Sequence, residues 1–77
     1  MTVQLKFFAG LRRFLPPEPS PYPVEVAPGT TVRDLLTQLG VPPDKPKILL
    51  VNGRHANLDR ELRDGDELSA FPPVAGG

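Results

Sequence analysis

Gly29-Thr-Thr-Val-Arg-Asp-Leu-Leu-Thr-Gln-Leu-Gly40 is the stretch on which the fold turns. Thr30-Thr31 supplies a helix N-cap. Asp34 sits in the first turn, where a carboxylate suits the positive end of the helix dipole. Val32, Leu35, Leu36 and Leu39 recur at i, i+3, i+4 and i+7, which makes one apolar stripe. Gly40 falls where a left-handed residue closes a helix, and Pro42-Pro43 forbid continuation. The segment reads as one short amphipathic helix that needs an apolar surface to lie on.

The flanking sequence supplies that surface as strands. Thr2–Phe8 alternates, with Val3, Leu5 and Phe7 on one face and Thr2, Gln4, Lys6 and Phe8 on the other, which is period two. Gly10 breaks it, and Leu11–Leu15 reads as a short helical turn. Pro16, Pro17, Pro19, Pro21 and Pro23 then crowd together, and each removes an N–H donor. This is a stiff, extended connection. Val24 and Val26 flank an outward Glu25, so residues 22–27 form a second strand antiparallel to the first, ended by Pro28-Gly29.

Beyond the helix, Lys47–Asn52 is β-prone and mostly apolar, as suits a strand packed on the helix. Asn52-Gly53 is a strong hairpin signal, with Arg54–Asn57 as the return strand. Leu58 and Leu62 anchor a 3₁₀-like turn, and Asp64-Gly65 makes another turn. Glu67–Phe71 is the last strand, with Leu68 and Ala70 inward and Glu67, Ser69 and Phe71 outward. Pro72-Pro73 stops it. The order is strand, strand, helix, strand, short strand, strand. This predicts an α+β fold of the β-grasp type, a mixed sheet of four or five strands with one main helix. The first and last strands lie parallel at its centre. Residues 1–77 form one domain, with 1–73 as folded core and Val74-Ala75-Gly76-Gly77 as a flexible tail.

Composition bounds what such a domain does. Its 77 residues hold nine basic and nine acidic side chains, no cysteine, one histidine and eleven prolines. A core of this size supplies about 3–5 kcal/mol and does not comfortably enclose a deep substrate pocket. The absence of Cys excludes disulfides, thiolate metal sites and a cysteine nucleophile. The charge balance lacks the basic excess of a sequence-independent nucleic-acid binder. No stretch approaches the roughly 20 apolar residues of a membrane span, and no leader is visible, so a cytoplasmic location is expected. His55 has no ligand partners at metal spacing, no Walker-type glycine loop occurs, and Ser20 and Ser69 make no credible triad. The acidic residues of Asp59–Glu67 read as a solvated turn region.

The tail stands apart. It runs Phe71-Pro72-Pro73-Val74-Ala75-Gly76-Gly77 and ends in a glycine carboxylate. At about 7% glycine usage, a terminal Gly-Gly arises by chance in roughly 0.5% of chains. Gly76 and Gly77 lack Cβ atoms, so a partner enzyme can enclose them in a narrow channel. Pro72-Pro73 is extended and pre-ordered, which projects the tail and lacks the donors to lengthen the sheet. Phe8 and Phe71 are both out of phase with the core. Parallel, adjacent first and last strands would put both rings on one sheet face, as an apolar docking patch beside the tail. The alternative is that the proline-rich connection covers the rings.

Phe7-Phe8-Ala9, Gly29–Leu36, Val51-Asn52-Gly53 and above all Asp64–Gly77 (DGDELSAFPPVAGG) resemble the ubiquitin-like sulfur carriers. That family includes the small subunit of molybdopterin synthase and the thiamine sulfur carrier. The resemblance spans nearly the whole chain, and its ending is more similar to the former. It implies that the Gly77 carboxylate is adenylated with ATP by a partner adenylating enzyme. A sulfur donor protein then converts it to a thiocarboxylate, and the sulfur passes to an acceptor such as a large synthase subunit. No cofactor is bound by the carrier, and no nucleic acid or membrane is a partner. Gly76 gives clearance, and Phe8, Phe71, Pro72, Pro73, Val74 and Ala75 contact the partners. Sulfur transfer toward thiamine, cysteine or tRNA, conjugation of Gly77 to protein lysines, or a plain interaction domain are the competing expectations. Two features depart from the family pattern. The Pro16–Pro23 cluster is dense, and His55 stands where an apolar contact residue is expected.

Overall fold

The computed structural model describes residues 1–73. Five strands and one helix follow in the predicted order. They are β1 (Thr2–Phe7), β2 (Tyr22–Glu25), α1 (Val32–Gln38), β3 (Ile48–Val51), β4 (Arg54–His55) and β5 (Glu67–Phe71), with a 3₁₀ turn over Ala9–Phe14. The sheet order is β2-β1-β5-β3-β4. β1 and β5 pair in parallel at its centre, and the other neighbours are antiparallel. This is the β-grasp arrangement.

Local chemistry explains α1. Thr31 is the N-cap, and Thr31 and Asp34 form a reciprocal capping box. The Asp34 amide donates to the Thr31 hydroxyl and the Thr31 amide to the Asp34 carboxylate, each at 3.1 Å. Two orphan donors of the first turn are thereby satisfied. Thr30 instead donates its hydroxyl to the Ala27 carbonyl at 2.7 Å, holding the approach to the helix. Gly40 closes the helix at φ +83°. Val32, Leu35 and Leu36 are buried against the sheet, and Leu39 packs at the edge of the core.

One sheet face meets that stripe. Val3, Leu5 and Phe7 of β1, Leu68 and Ala70 of β5 and Val51 of β3 are buried with it. Leu11, Val26, Val41 and Leu62 close the core from the connections. Asn52 (φ +53°) and Gly53 (φ +81°) give two left-handed residues in succession, which the β3–β4 turn requires.

Several boundaries differ from the sequence reading. β1 ends at Phe7 because Ala9 turns the chain at φ +51°. β2 ends at Glu25, although the Val26 amide still reaches the Met1 carbonyl at 2.9 Å. β4 holds two residues, not four. Past it Ala56 donates to Leu49, and then Asn57 bends the chain by accepting from the Asp59 amide. The turn after it is a β-turn closed from Arg60 to Asn57, where a 3₁₀-like turn was expected. Leu62 is buried there, and Leu58 only half-buried.

Two polar residues are more enclosed than the sequence implied. Ser69 lies on the outer face as expected but is only 8% exposed, because β5 is central and Lys6 and Leu50 flank it in register. Asp66, read as part of a solvated turn, is 7% exposed. Its carboxylate accepts from the Asn52 side-chain amide at 2.9 Å and the Arg63 backbone amide at 2.8 Å. Asn52 in turn accepts from the Glu67 amide at 2.9 Å. The β3–β4 turn is thus bonded to the entry of β5.

Leu36→Ala should lower unfolding stability by about 2–5 kcal/mol, most of what so small a core holds, read from urea or thermal melts. Asp66→Ala leaves two donors without their acceptor and should cost about 1–3 kcal/mol in the same measurement. A loss no larger than that of an exposed-site substitution would mean the Asn52–Asp66 link is dispensable.

Candidate functional site: the open sheet face and the exit of the last strand

α1 covers one face of the sheet and leaves the other open. Register decides what that open face presents. Phe7 pairs with Ala70 across the parallel ladder, and the Phe8 amide donates to the Ala70 carbonyl at 3.1 Å. The next residues, Phe8 and Phe71, therefore fall side by side. Their rings stack with centroids 4.3 Å apart and planes 4° from parallel. Phe8 is 38% exposed and Phe71 half-buried. The expected aromatic pair is formed. Pro16, Pro17 and Pro19 line a groove with Phe7, Leu15 and Tyr22, and the Phe8 ring stays exposed.

The patch is larger than the sequence reading held. Ile48 pairs with Phe71 and is 40% exposed. Leu50, one row below, is half-buried beside Ser69. Both belong to the segment whose apolar run predicts a strand packed on the helix. An unbroken run such as Ile48-Leu49-Leu50-Val51 shows no polar alternation, so its phase is silent. Pairing with Phe71, already assigned outward, was the signal that could have placed Ile48 on the open face. His55 pairs with Leu50 and is exposed, so an imidazole stands at this corner of the face. Lys6 and Glu67, 3.8 Å apart and both substantially exposed, make an ion pair on the same face. Such surface pairs stabilise by about 0–1 kcal/mol.

β5 then leaves the sheet. Its last ladder bond runs from the Lys47 amide to the Phe71 carbonyl at 2.8 Å. Pro72 is half-buried, Pro73 is exposed, and neither has a donor to continue. The chain therefore departs at the aromatic end of the open face. Val74, Ala75, Gly76 and Gly77 lie outside the described residues. Among the described residues there is no group of three His, Asp or Glu that could hold a metal, and no helix is long and apolar enough to cross a membrane.

A mixed five-stranded sheet gripping one helix defines a ubiquitin-like β-grasp domain. The ThiS family matches residues 5–77, and the chain belongs to that family of ubiquitin-like sulfur-carrier folds. Solved structures agree. Haloferax volcanii SAMP1 is 31% identical with a TM-score of 0.73, covering 100% of both chains. A second structure of that organism's small archaeal modifier protein 1 is 28% identical with a TM-score of 0.70, covering 95% of this chain and 98% of that one. A putative molybdopterin converting factor subunit 1 from Pyrococcus furiosus is 27% identical with a TM-score of 0.70, covering 95% and 98%. Subunits 1 and 2 of the molybdopterin-converting factor from Helicobacter pylori form a complex, to which this chain is 25% identical with a TM-score of 0.55, covering 100% of both chains. No curated protein matches the sequence.

Phe8→Ala removes one ring of the stack from an exposed position and should cost only about 0.5–1.5 kcal/mol of stability beyond its modest burial. Urea unfolding checks this. A loss on the scale of Leu36→Ala would make the ring a core residue and not a surface one.

Proposed function

We propose that this chain is a sulfur carrier whose Gly77 carboxylate is the reacting group. The observation that carries the reading is the match to the sulfur-carrier family running through Gly77, beyond a last strand that leaves the sheet beside an exposed aromatic stack. In this reading a carboxylate oxygen of Gly77 attacks the α-phosphorus of ATP in the adenylating partner. Pyrophosphate leaves and an acyl-adenylate remains. A sulfur nucleophile from a donor protein then attacks the acyl carbon. The bond to AMP breaks, leaving the donor's persulfide joined to Gly77 as an acyl disulfide. A thiol then attacks the donor's own sulfur, the S–S bond breaks, the donor leaves as a disulfide, and Gly77 retains a thiocarboxylate. Phe8, Phe71 and Ile48 dock on the partners, and Pro72, Pro73, Val74, Ala75 and Gly76 thread the channel. The acid, base and nucleotide site belong to the partner, and a cytoplasmic setting supplies its ATP.

Within that class we favour the small subunit of a molybdopterin synthase. The Phe-Pro-Pro-Val-x-Gly-Gly ending supports it, as do the converting-factor subunits among similar structures, one of them solved in complex with its second subunit. A second reading has its own support. The modifier protein from Haloferax volcanii is similar over nearly the whole chain, so conjugation of Gly77 to a protein lysine is the alternative.

Intact mass of the full chain, produced with the adenylating enzyme of its own genome, separates these outcomes. A carrier yields a species heavier by the difference between sulfur and oxygen, and ATP without sulfur donor yields the adenylate. A modifier yields high-mass conjugates that survive denaturation and reduction. Deleting Gly77 should abolish every one of these products while leaving the melting temperature unchanged, because the core is built from residues 3–70. Neither adenylate nor thiocarboxylate forming with that enzyme would sink the carrier reading.

A further inference from the structure

Zero net charge conceals a polarised molecule. Two ion pairs, Lys6–Glu67 and Arg33–Asp59, cancel internally. The remaining charged side chains separate between the two ends of the sheet. The end where β5 exits holds Arg12 and Arg13 on the 3₁₀ turn and Lys45 and Lys47 before β3, against Glu18 and Asp44. Four basic and two acidic side chains leave that end at +2. The opposite end holds Glu25, Asp34, Glu61, Asp64 and Asp66 against three arginines, which leaves −2. The N-terminal ammonium lies at the opposite end, 3.6 Å from Glu25, and brings that end to −1. All four exit-end cations are exposed, and none is in an ion pair among the described residues.

Distance keeps the two ends from cancelling. β1 has six residues, so the ends lie about 20 Å apart at about 3.3 Å per residue. The Debye length at physiological salt is about 8 Å. A partner approaching the exit end therefore meets a positive surface and not a neutral one. The placement is specific. Lys47 is hydrogen-bonded to the Phe71 carbonyl, and the 3₁₀ turn carrying Arg12 and Arg13 begins one residue after Phe8. The segments that carry these cations thus adjoin the aromatic stack on its β1 and β3 sides. An apolar centre with a charged rim is the anatomy of a protein–protein interface.

We infer that the exit end of this domain is built to dock on a protein whose tail-accepting entrance is apolar at its centre and acidic at its rim. The proposal rests on the sulfur-carrier reading and adds the electrostatic character of the partner. Rim charges of opposite sign steer encounter and orient the aromatic stack, and their contribution falls with salt.

ATP–pyrophosphate exchange by the adenylating enzyme of the same genome tests it, with the full chain as substrate over a range of salt. Arg12→Glu/Arg13→Glu should raise the KM for this chain about tenfold or more at low salt, with kcat unchanged and the effect fading toward about 1 M salt. Lys45→Glu/Lys47→Glu, on the other flank, should do the same. Glu61→Lys, at the opposite end, should change neither constant. The inference is overturned if both double variants keep the wild-type KM, or if Glu61→Lys shifts it equally. It is also overturned if the variants raise the KM for ATP alone, because the cations would then meet the nucleotide. If the unaltered chain supports no exchange at any salt, the carrier reading fails and takes the inference with it.

Discussion

The parallel pairing of β1 with β5 is the constraint on which the rest of the structure depends. Parallel neighbours cannot be joined by a tight turn, so the chain between them must cross over. Here that crossover is nearly the whole protein: β2, α1, β3 and β4 all lie between the two central strands. Closing so long a loop costs chain entropy, which the apolar surface buried under α1 must offset. The register of the same pair sets the surface chemistry. Phe7 opposite Ala70 puts Phe8 beside Phe71, and a slip of one residue would separate the rings, turning the one on the shifted strand toward the helix.

That pairing also sends the end of the last strand out at the place where the first strand ends. The site is therefore composite. Its centre comes from residues far apart in sequence, Phe8, Ile48 and Phe71, and the donor-free Pro72-Pro73 ends the ladder beside them. The half of the fold remote from the exit is held by polar links instead. Asp66, Asn52 and the Glu67 backbone join two turns, so the start of β5 is fixed by hydrogen bonds and its end is free to present an apolar face. The division leaves the apolar exit end as the part of the sheet open to a partner.

Most of the fold was legible because its signals are local. A capping threonine with an aspartate three residues on, a four-position apolar stripe and a closing glycine specify α1 without reference to anything else. Asn52-Gly53 specifies a turn in the same way, and the alternation of Thr2–Phe7 fixes which face of β1 is buried. The misreadings share a cause. Ile48-Leu49-Leu50-Val51 is apolar at every position, so nothing within it tells the buried face from the open one. Asp66 and Ser69 are polar residues enclosed by neighbours from other strands, and no local pattern announces that. The length of β4 depended on where Asn57 bent the chain, a competition between ladder and side-chain hydrogen bonds.

The sequence by itself determined the elements, their order, the outward phase of Phe8 and Phe71, and the Gly76-Gly77 ending. These follow from propensity and periodicity, which act over a few residues. Only the tertiary structure decided that the two rings stack at 4.3 Å, that Ile48 extends them, and that the neutral composition divides into a positive exit end and a negative far end. Those properties depend on which residues are neighbours across strands, and strand register is settled by packing the whole core at once.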